Sequence, residues 1–415
     1  MVHLVTTMKK VRFLFEEEKA PKSPPSSSLG PTMPFTPEPP VVPVPLPVGC
    51  PPLTPQAWHK YDEATKAWKP VSDLPSMEEY TTWSPTNAAA TTTNQEKEKE
   101  KETDQQRFHL TTWNADAFAR HPEMRMKALL RNIWDASPKS DIVFLQEVCV
   151  EAARWIMHDD TVRKDWFISE DSVRVYQVQR YATMTLVSKR TFGYAKSHAE
   201  EGKSLLGPVW RTRFRTRYMR DGLCCDLFVA GLRSTPTETS EKDGGGSSTA
   251  AQTPKPRLKR LRLINVHLDS LPSKPSFRPS QLEVSAALLR AAGAGLVAGD
   301  FNPVQKEDQT LLEQPHINLL DAWKAVRPGE DGFTWGTEGP QPYPPARLDK
   351  IAMLGLRPLV VEVVEAGTYE LEGGKKRERE EEDEDYEAGL GSKVPTKKFL
   401  WSDHHGLRCQ FALDE

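Results

Sequence analysis

A chain of 415 residues with net charge −3 has room for more than one domain but no global charge that would name a partner. Its five cysteines include an adjacent pair, Cys224 and Cys225, with no CxxC spacing, which argues against a disulfide framework or a structural zinc site and fits a reducing compartment. No apolar run approaches a membrane span or a signal peptide, so the sequence reads as a soluble intracellular protein with no membrane partner.

Residues 1–106 come first. Prolines are dense there, in runs such as "PKSPPSSSLGPTMPFTPEPPVVPVPLPVGCPPLTP". Such a segment lacks the aliphatic content to offset its ordering entropy and is expected to be a disordered or polyproline-like tail, a place for a protein partner to bind. Inside it, "QAWHKYDEATKAWKPV" (residues 56–71) is aromatic where its surroundings are not. It is either a sticky patch or a short docking segment for the rest of this chain or for a partner. The charged tether "TTTNQEKEKEKETDQQ" closes the tail.

From residue 107 to 415 the pattern is that of one folded domain. "RFHLTTWNAD" predicts a strand running into a loop, and "PEMRMKALLRNIWDA" a helix with apolar residues at helical spacing. "DIVFLQEV" reads as a buried strand and "CVEAARWIMHD" as a helix. Four strand candidates follow: "RYATMTLVSK", "RTRFRTRYMR", "GLCCDLFVAGL" and "RLRLINVHLDS". "RPSQLEVSAALLRAA" is helical, and "GLVAGDFN", "RLDKIAM", "PLVVEVVEA" and the segments flanking "SDHHG" are strands. Two polar stretches, near 236–257 and 372–395, read as disordered insertions. Without tail and insertions about 260 residues remain, enough for one large core. Many strands with few helices predict an α+β fold of mixed sheets packed together with helices outside.

Small polar clusters close almost every strong strand: "WNAD", "QEV", "HLDS", "GDFN", "LDK" and "SDHHG". One such cluster is an ordinary solvated turn, but several at strand ends meet at one edge of a layered sheet protein, where ligand sites form. Their asparagines, carboxylates and histidine are hard oxygen donors plus an imidazole, a set that suits Mg²⁺ or Mn²⁺ and disfavours zinc. A carboxylate and an amide two apart, as in "GDFN", can orient a water for attack, and an imidazolium opposite can stabilise charge on a phosphoryl oxygen. The residue types therefore point to metal-assisted hydrolysis of a phosphodiester or phosphomonoester. Adjacent residues on an extended chain face opposite ways, so His404 and His405 cannot share a role.

"RTRFRTRYMR" places Arg211, Arg213, Arg215 and Arg217 at alternate positions. On a strand they form one basic face able to track a nucleic-acid backbone, or a solvated edge that discourages aggregation. Tyr181 and Trp335 are candidates for stacking on a base or for the core. The runs "KPRLKRLR" and "KKRER" match nuclear import signals weakly.

In the same linear order, "TWNAD", "LQEV", "HLDS", "GDFN", "RLDK" and "SDHHGL" resemble the motifs of the endonuclease/exonuclease/phosphatase family across residues 108–413. The resemblance implies a two-sheet sandwich flanked by helices, the four-layer DNase I-like arrangement. It also implies that Glu147 is the Mg²⁺ ligand (Mn²⁺ a substitute), with Asn114 near metal and phosphate and Asp403 on the metal side. Asp300, assisted by Asn302, corresponds to the group acting on the attacking water. His404 corresponds to the imidazole on the phosphate, Asp349 to the carboxylate holding its ring, and His267 to a phosphate-side residue. His405 is given no role.

Within the family the chain looks most like the tyrosyl-DNA phosphodiesterase 2 group, through "TWNAD", "HLDS", "SDHHGL" and "GFTWGT". That likeness implies a substrate of DNA bearing a 5′-tyrosyl adduct at a single-stranded end and a contact from Arg220, with a monomeric enzyme and a nuclear (or also cytoplasmic) location expected. Tyr181 and Trp335, by stacking, and Arg213 and Arg215, from the basic face, are the further candidate substrate contacts. Asp269 stands where the group has glutamate, and only Lys306 follows "GDFN" where an arginine is usual. The alternatives within the fold are an abasic-site or general nuclease, a deadenylase and a phosphoinositide phosphatase; outside it, a non-catalytic nucleic-acid-binding scaffold.

Overall fold

Along "RFHLTTWN" the side chains alternate: Phe108 and Leu110 enter one apolar cluster, while Trp113 enters another on the opposite face. The computed structural model, which describes residues 52–72, 74–76, 79–80, 106–230, 258–338, 343–372 and 396–414, repeats this pattern through two sheets. In chain order the strands begin with β1 (Leu53–Gln56), β2 (His59–Asp62), β3 (Ala67–Pro70), β4 (Arg107–Asn114), β5 (Ile142–Cys149) and β6 (Trp166–Ile168). Next come β7 (Tyr181–Ser188), β8 (Phe192–Gly193), β9 (Ser204–Arg213), β10 (Asp221–Ala230), β11 (Leu258–His267) and β12 (Gly295–Asp300). The last are β13 (Leu320–Asp321), β14 (Asp349–Leu354), β15 (Leu356–Val364), β16 (Thr368–Glu372), β17 (Thr396–Leu400) and β18 (Gly406–Leu413).

One sheet has the order β15-β18-β4-β5-β7-β6-β2-β3, the other β1-β9-β10-β11-β12-β14-β13 with β8 beside β9; β16 and β17 form a separate hairpin. Both large sheets are mixed: β4 runs parallel to β5 and β11 to β12, and the remaining neighbours are antiparallel apart from β8 beside β9. Between the sheets lie Phe108, Phe144, Leu223, Leu263, Ile351 and Phe411. Helix α1 (Pro122–Asp135) begins with Pro122 and Glu123, both favourable in a first turn, and buries Met126, Leu129, Leu130 and Ile133. With α2 (Val150–His158) it covers the outer face of the first sheet. On the outer face of the second, α3 (Arg278–Ala292) buries Leu282, Ala286 and Leu289 and stops at Gly293, whose φ of 89° suits a C-terminal cap. The architecture is the expected four-layer sandwich.

Two expectations change. The segment 56–71, placed in a disordered tail as either a sticky patch or a docking segment, is part of the sheets, so of the two readings the docking one on this chain holds. β1 pairs with β9, and the β2–β3 hairpin joins β6 through His59 and Ile168. Its aromatic residues explain why: Trp58 is fully buried between the sheets and donates to Gly207 O at 3.0 Å, and Trp68 donates to Met157 O at 3.1 Å. The folded region therefore starts before residue 107. Residues 1–51 and 81–105 of the tail and the insertion at 236–257 lie outside the described residues, as does the one predicted at 372–395 apart from Glu372, which ends β16. Second, "RTRFRTRYMR" is not one strand. β9 ends at Arg213, and residues 214–220 form a loop.

Candidate active site

Inward positions turn from apolar to polar as the strands approach one edge. Phe108, Leu110, Thr112 and Asn114 succeed one another on β4; Leu261, Leu263, Asn265 and His267 on β11; Leu296, Ala298 and Asp300 on β12. A layer of buried amides closes the core, with Gln146 Nε2 donating to Thr112 Oγ1 at 3.0 Å and to Asn265 Oδ1 at 2.8 Å. Beyond this layer, pairing alone sets His267 beside Asp300 and Asp300 beside Asp349. Glu147 arrives differently. The β5–β7 register shifts between Leu145 and Val148, and Glu147 sits there with φ 53°, so a bulge aims its carboxylate at the row.

Asn114 is fully buried and donates from Nδ2 to Asp300 Oδ2 at 3.0 Å and to Glu147 Oε1 at 3.3 Å, while its own Oδ1 accepts from the Asp116 amide. Its oxygen thus faces away from the carboxylates, and its amide nitrogen clamps Asp300 and Glu147 together. Glu147 Oε2 accepts from the Ala117 amide at 3.0 Å. Asp300 Oδ1 accepts from the Asn302 amide at 2.9 Å, in a turn where Asn302 has φ 47°. His404 Nδ1 lies 2.8 Å from Asp349 Oδ2, and its Nε2 lies 4.0 Å from Asp300 Oδ2.

Charge follows from this packing. Burial pushes the Asp300 carboxyl up to about 7, with Asp349 and Glu147 adding to the rise and the His404 cation opposing it. Burial alone would depress His404, but the charge and hydrogen bond of Asp349, with Asp300 behind, hold it well above the ordinary histidine range. His267 goes the other way: burial, then the Arg220 and His404 charges, keep it neutral. Its Nε2 accepts from Arg220 Nη2 at 3.2 Å and stands 3.4 Å from Asp300 Oδ2 and 3.8 Å from Glu147 Oε1.

The Glu147 and Asp300 oxygens converge beside His267, an oxygen-rich arrangement that suits a hard dication. Among the described residues no group of three or more His, Cys, Asp or Glu side chains is placed to hold a metal ion by itself. Magnesium needs less, since it keeps several waters and takes one or two carboxylates. Glu147, the least buried of these carboxylates, fits that part.

Of the other anticipated residues, Arg220 and Tyr181 are brought in. The guanidinium is buried 5.0 Å above the Tyr181 ring, which also meets exposed Phe118 edge-on. Trp335 is half-buried and bridges His404 through its backbone. Asp403 is exposed, reaching His404 only through its charge. Arg213 is exposed at the end of β9, and Arg215 stacks on Phe277 at 4.7 Å. Arg211 is buried in ion pairs, so the four-arginine face does not exist. His405 is structural: its Nδ1 accepts from the Ala366 amide and its Nε2 meets Thr337. Asp269 accepts from the Arg217 amide at 3.0 Å and from Gln281, pinning the 214–220 loop.

Several supporting residues escape sequence reasoning. Ser402 Oγ donates to Asn114 O at 2.6 Å and accepts from the His404 amide, and the first position of "SDHHG" was a readable hint of it. Thr334 Oγ1 accepts the amides of Leu348 and Asp349. Buried Arg125 donates to the carbonyls of Ala115, Asp116 and Trp401; in sequence it looks like any charge on a helix face.

A buried base opposite a fixed imidazolium is equipment for hydrolysis at an anionic centre. Residues 111–411 match the model of the Endonuclease/Exonuclease/phosphatase family, and the chain belongs to that family. Solved structures with a similar fold include D. rerio TDP2 complexed with single strand DNA product (18% identity, 74% of this chain and 98% of that chain, TM-score 0.47). They also include truncated Caenorhabditis elegans TDP2 (19%, 74% and 98%, 0.46) and a Bacteroides thetaiotaomicron mannosyl-6-phosphatase (10%, 74% and 100%, 0.44). No curated protein matches the sequence.

Proposed function

We propose that this chain is a Mg²⁺-dependent phosphodiesterase that hydrolyses the bond between a 5′ DNA phosphate and a tyrosine, clearing trapped topoisomerase adducts. The observation that carries the reading is the His404–Asp349 pair, fixed at 2.8 Å, with buried Asp300 facing its free nitrogen at 4.0 Å. Asp300 is held at both oxygens and has a proton affinity near neutrality, the property wanted of a group that orients a water and takes its proton. Asn302 supports it from the same turn. With Nδ1 committed to Asp349, His404 presents Nε2–H to a phosphoryl oxygen, and neutral His267 holds Arg220 on the phosphate side. Glu147 would hold the Mg²⁺ (or Mn²⁺), which supplies charge neutralisation at the phosphate. A tyrosine phenol, with a pKa of roughly 10, leaves without strong help from an acid.

The tyrosyl choice rests on the group-specific motifs "TWNAD", "HLDS" and "SDHHGL". A nuclear location is proposed with that substrate, and a monomeric state with the likeness to that group. Of the two basic runs, "KPRLKRLR" enters β11, where Arg262 is fully buried against Asp226, which weakens it as an import signal; "KKRER" lies outside the described residues.

The test is cleavage of a 5′-tyrosyl single-stranded oligonucleotide, beside an abasic duplex and an RNA, with Mg²⁺ or EDTA. Release of a 5′-phosphate strand from the tyrosyl substrate alone, reduced about 10²- to 10⁴-fold in Asp300→Asn and His404→Ala, is the expected result. Cleavage of the abasic or RNA strand instead would overturn the substrate while keeping the chemistry.

A further inference from the structure

The buried cluster the mechanism does not use lies beside Tyr181 and Arg220. Arg211, on β9 of the second sheet, donates to Asp221 Oδ1 on β10 at 3.0 Å and to Glu170 Oε1 at 2.6 Å. It also crosses to the first sheet, donating to Thr183 O at 2.8 Å and Thr183 Oγ1 at 3.1 Å on β7. Arg211, Glu170 and Asp221 are all buried. Asp221 Oδ2 accepts from Gln179 Nε2 at 3.1 Å, and β1 lies on β9 with Thr54 opposite Arg211.

Two acids around one arginine, out of water, are a poor way to gain stability, since apolar side chains would join the sheets without the desolvation cost. What such a network provides is fixed geometry. Thr183 lies two residues beyond Tyr181 on the same face of β7, and Asp221 directly follows Arg220. Tyr181, Thr183, Arg220, Asp221 and His267 line one crevice. We propose that Arg211 is a positioning residue for the substrate phosphate. By tying Thr183 of one sheet to Asp221 of the other, it sets where the Tyr181–Arg220 pair stands beside His267.

This inference rests on the phosphate-side role read for Arg220. Its test uses the full chain with Arg211→Met, Arg211→Lys, Arg220→Met and the double variant Arg211→Met/Arg220→Met, plus Asp221→Asn as a gentler break. On the tyrosyl oligonucleotide, Arg211→Met should raise KM about tenfold with kcat within about twofold, and Arg211→Lys should recover part of the loss. In the Arg220→Met background the Arg211 change should add little, because both act through one contact. Unchanged KM, or effects at 211 and 220 that multiply, overturns the proposal. If Arg211→Met does not fold, Asp221→Asn decides by the same criteria. If the wild-type chain leaves the tyrosyl bond intact, the proposed function fails by itself, and the same cycle is read from the anisotropy of a labelled 5′-phosphate single strand. There the expected pattern is the same in Kd, and no binding by the wild type overturns the positioning role of Arg211 as well.

Discussion

Asp300 is a carboxylate that holds its proton to about pH 7, mainly because it is fully enclosed. In the unfolded chain it would lose that proton near pH 4. The folded state therefore binds more protons between those limits, and the stability it contributes below about pH 4 is lost as pH rises to about 7. His404 slopes the same way at higher pH, as its raised affinity for a proton is exceeded. With EDTA present, urea unfolding of the wild type should give a midpoint falling from pH 5 to pH 8. Asp300→Asn should remove the part of that fall below about pH 7 and be the more stable protein at pH 8. An equal slope in the variant would show that Asp300 titrates normally.

At the scale of elements, the sequence discloses what repeats and hides what is solitary. The alternation in "RFHLTTWN" and "LRLINVH" and the helical spacing in "PEMRMKALLRNIWDA" state which face is buried, because a half-buried strand or helix has little choice. The histidines of "SDHHG" could be told apart for the same reason, and they do face different partners. Position-specific contacts leave no such trace. Arg211 and Arg213 share a strand face in the sequence, yet only Arg211 is met by carboxylates, and those come from Glu170 and Asp221 on other elements. Asn114 was legible as a site residue but not the direction of its amide, which depends on the Asp116 backbone. The β2–β3 hairpin was hidden by its proline-rich neighbours, although Trp58 and Trp68 marked it. Trp58→Ala should lower unfolding free energy by about 3–5 kcal/mol, as for other fully buried large side chains. Denaturant titration measures this; a loss below about 1 kcal/mol would mean the hairpin only rests on the sheets.

For the whole molecule, the segment before residue 107 is part of the load the fold carries. β1 covers one edge of the second sheet, the β2–β3 hairpin extends the first, and buried Tyr80 stacks on Phe228 at 3.7 Å. A chain cut to 107–415 would expose two edges and the slot left by Trp58, and exposed edges invite pairing between molecules. Against 52–415 it should melt several degrees lower and elute partly as aggregate in size-exclusion chromatography. Equal melting and elution would show that the domain closes without those strands.

The bulge that delivers Glu147 has a consequence for how such a protein changes over generations. Its backbone is left-handed where a side chain with a Cβ is disfavoured, and the residue stands outside the in–out alternation that the core enforces. Replacing it with glycine or asparagine would ease the backbone while leaving every core contact in place. Against that relief stand only the hydrogen bonds from Asn114 and the Ala117 amide, so loss of the carboxylate proposed to hold the cation costs the fold little, and function is the main force that keeps it. In descendants of this fold, silence can spread without any sign of instability.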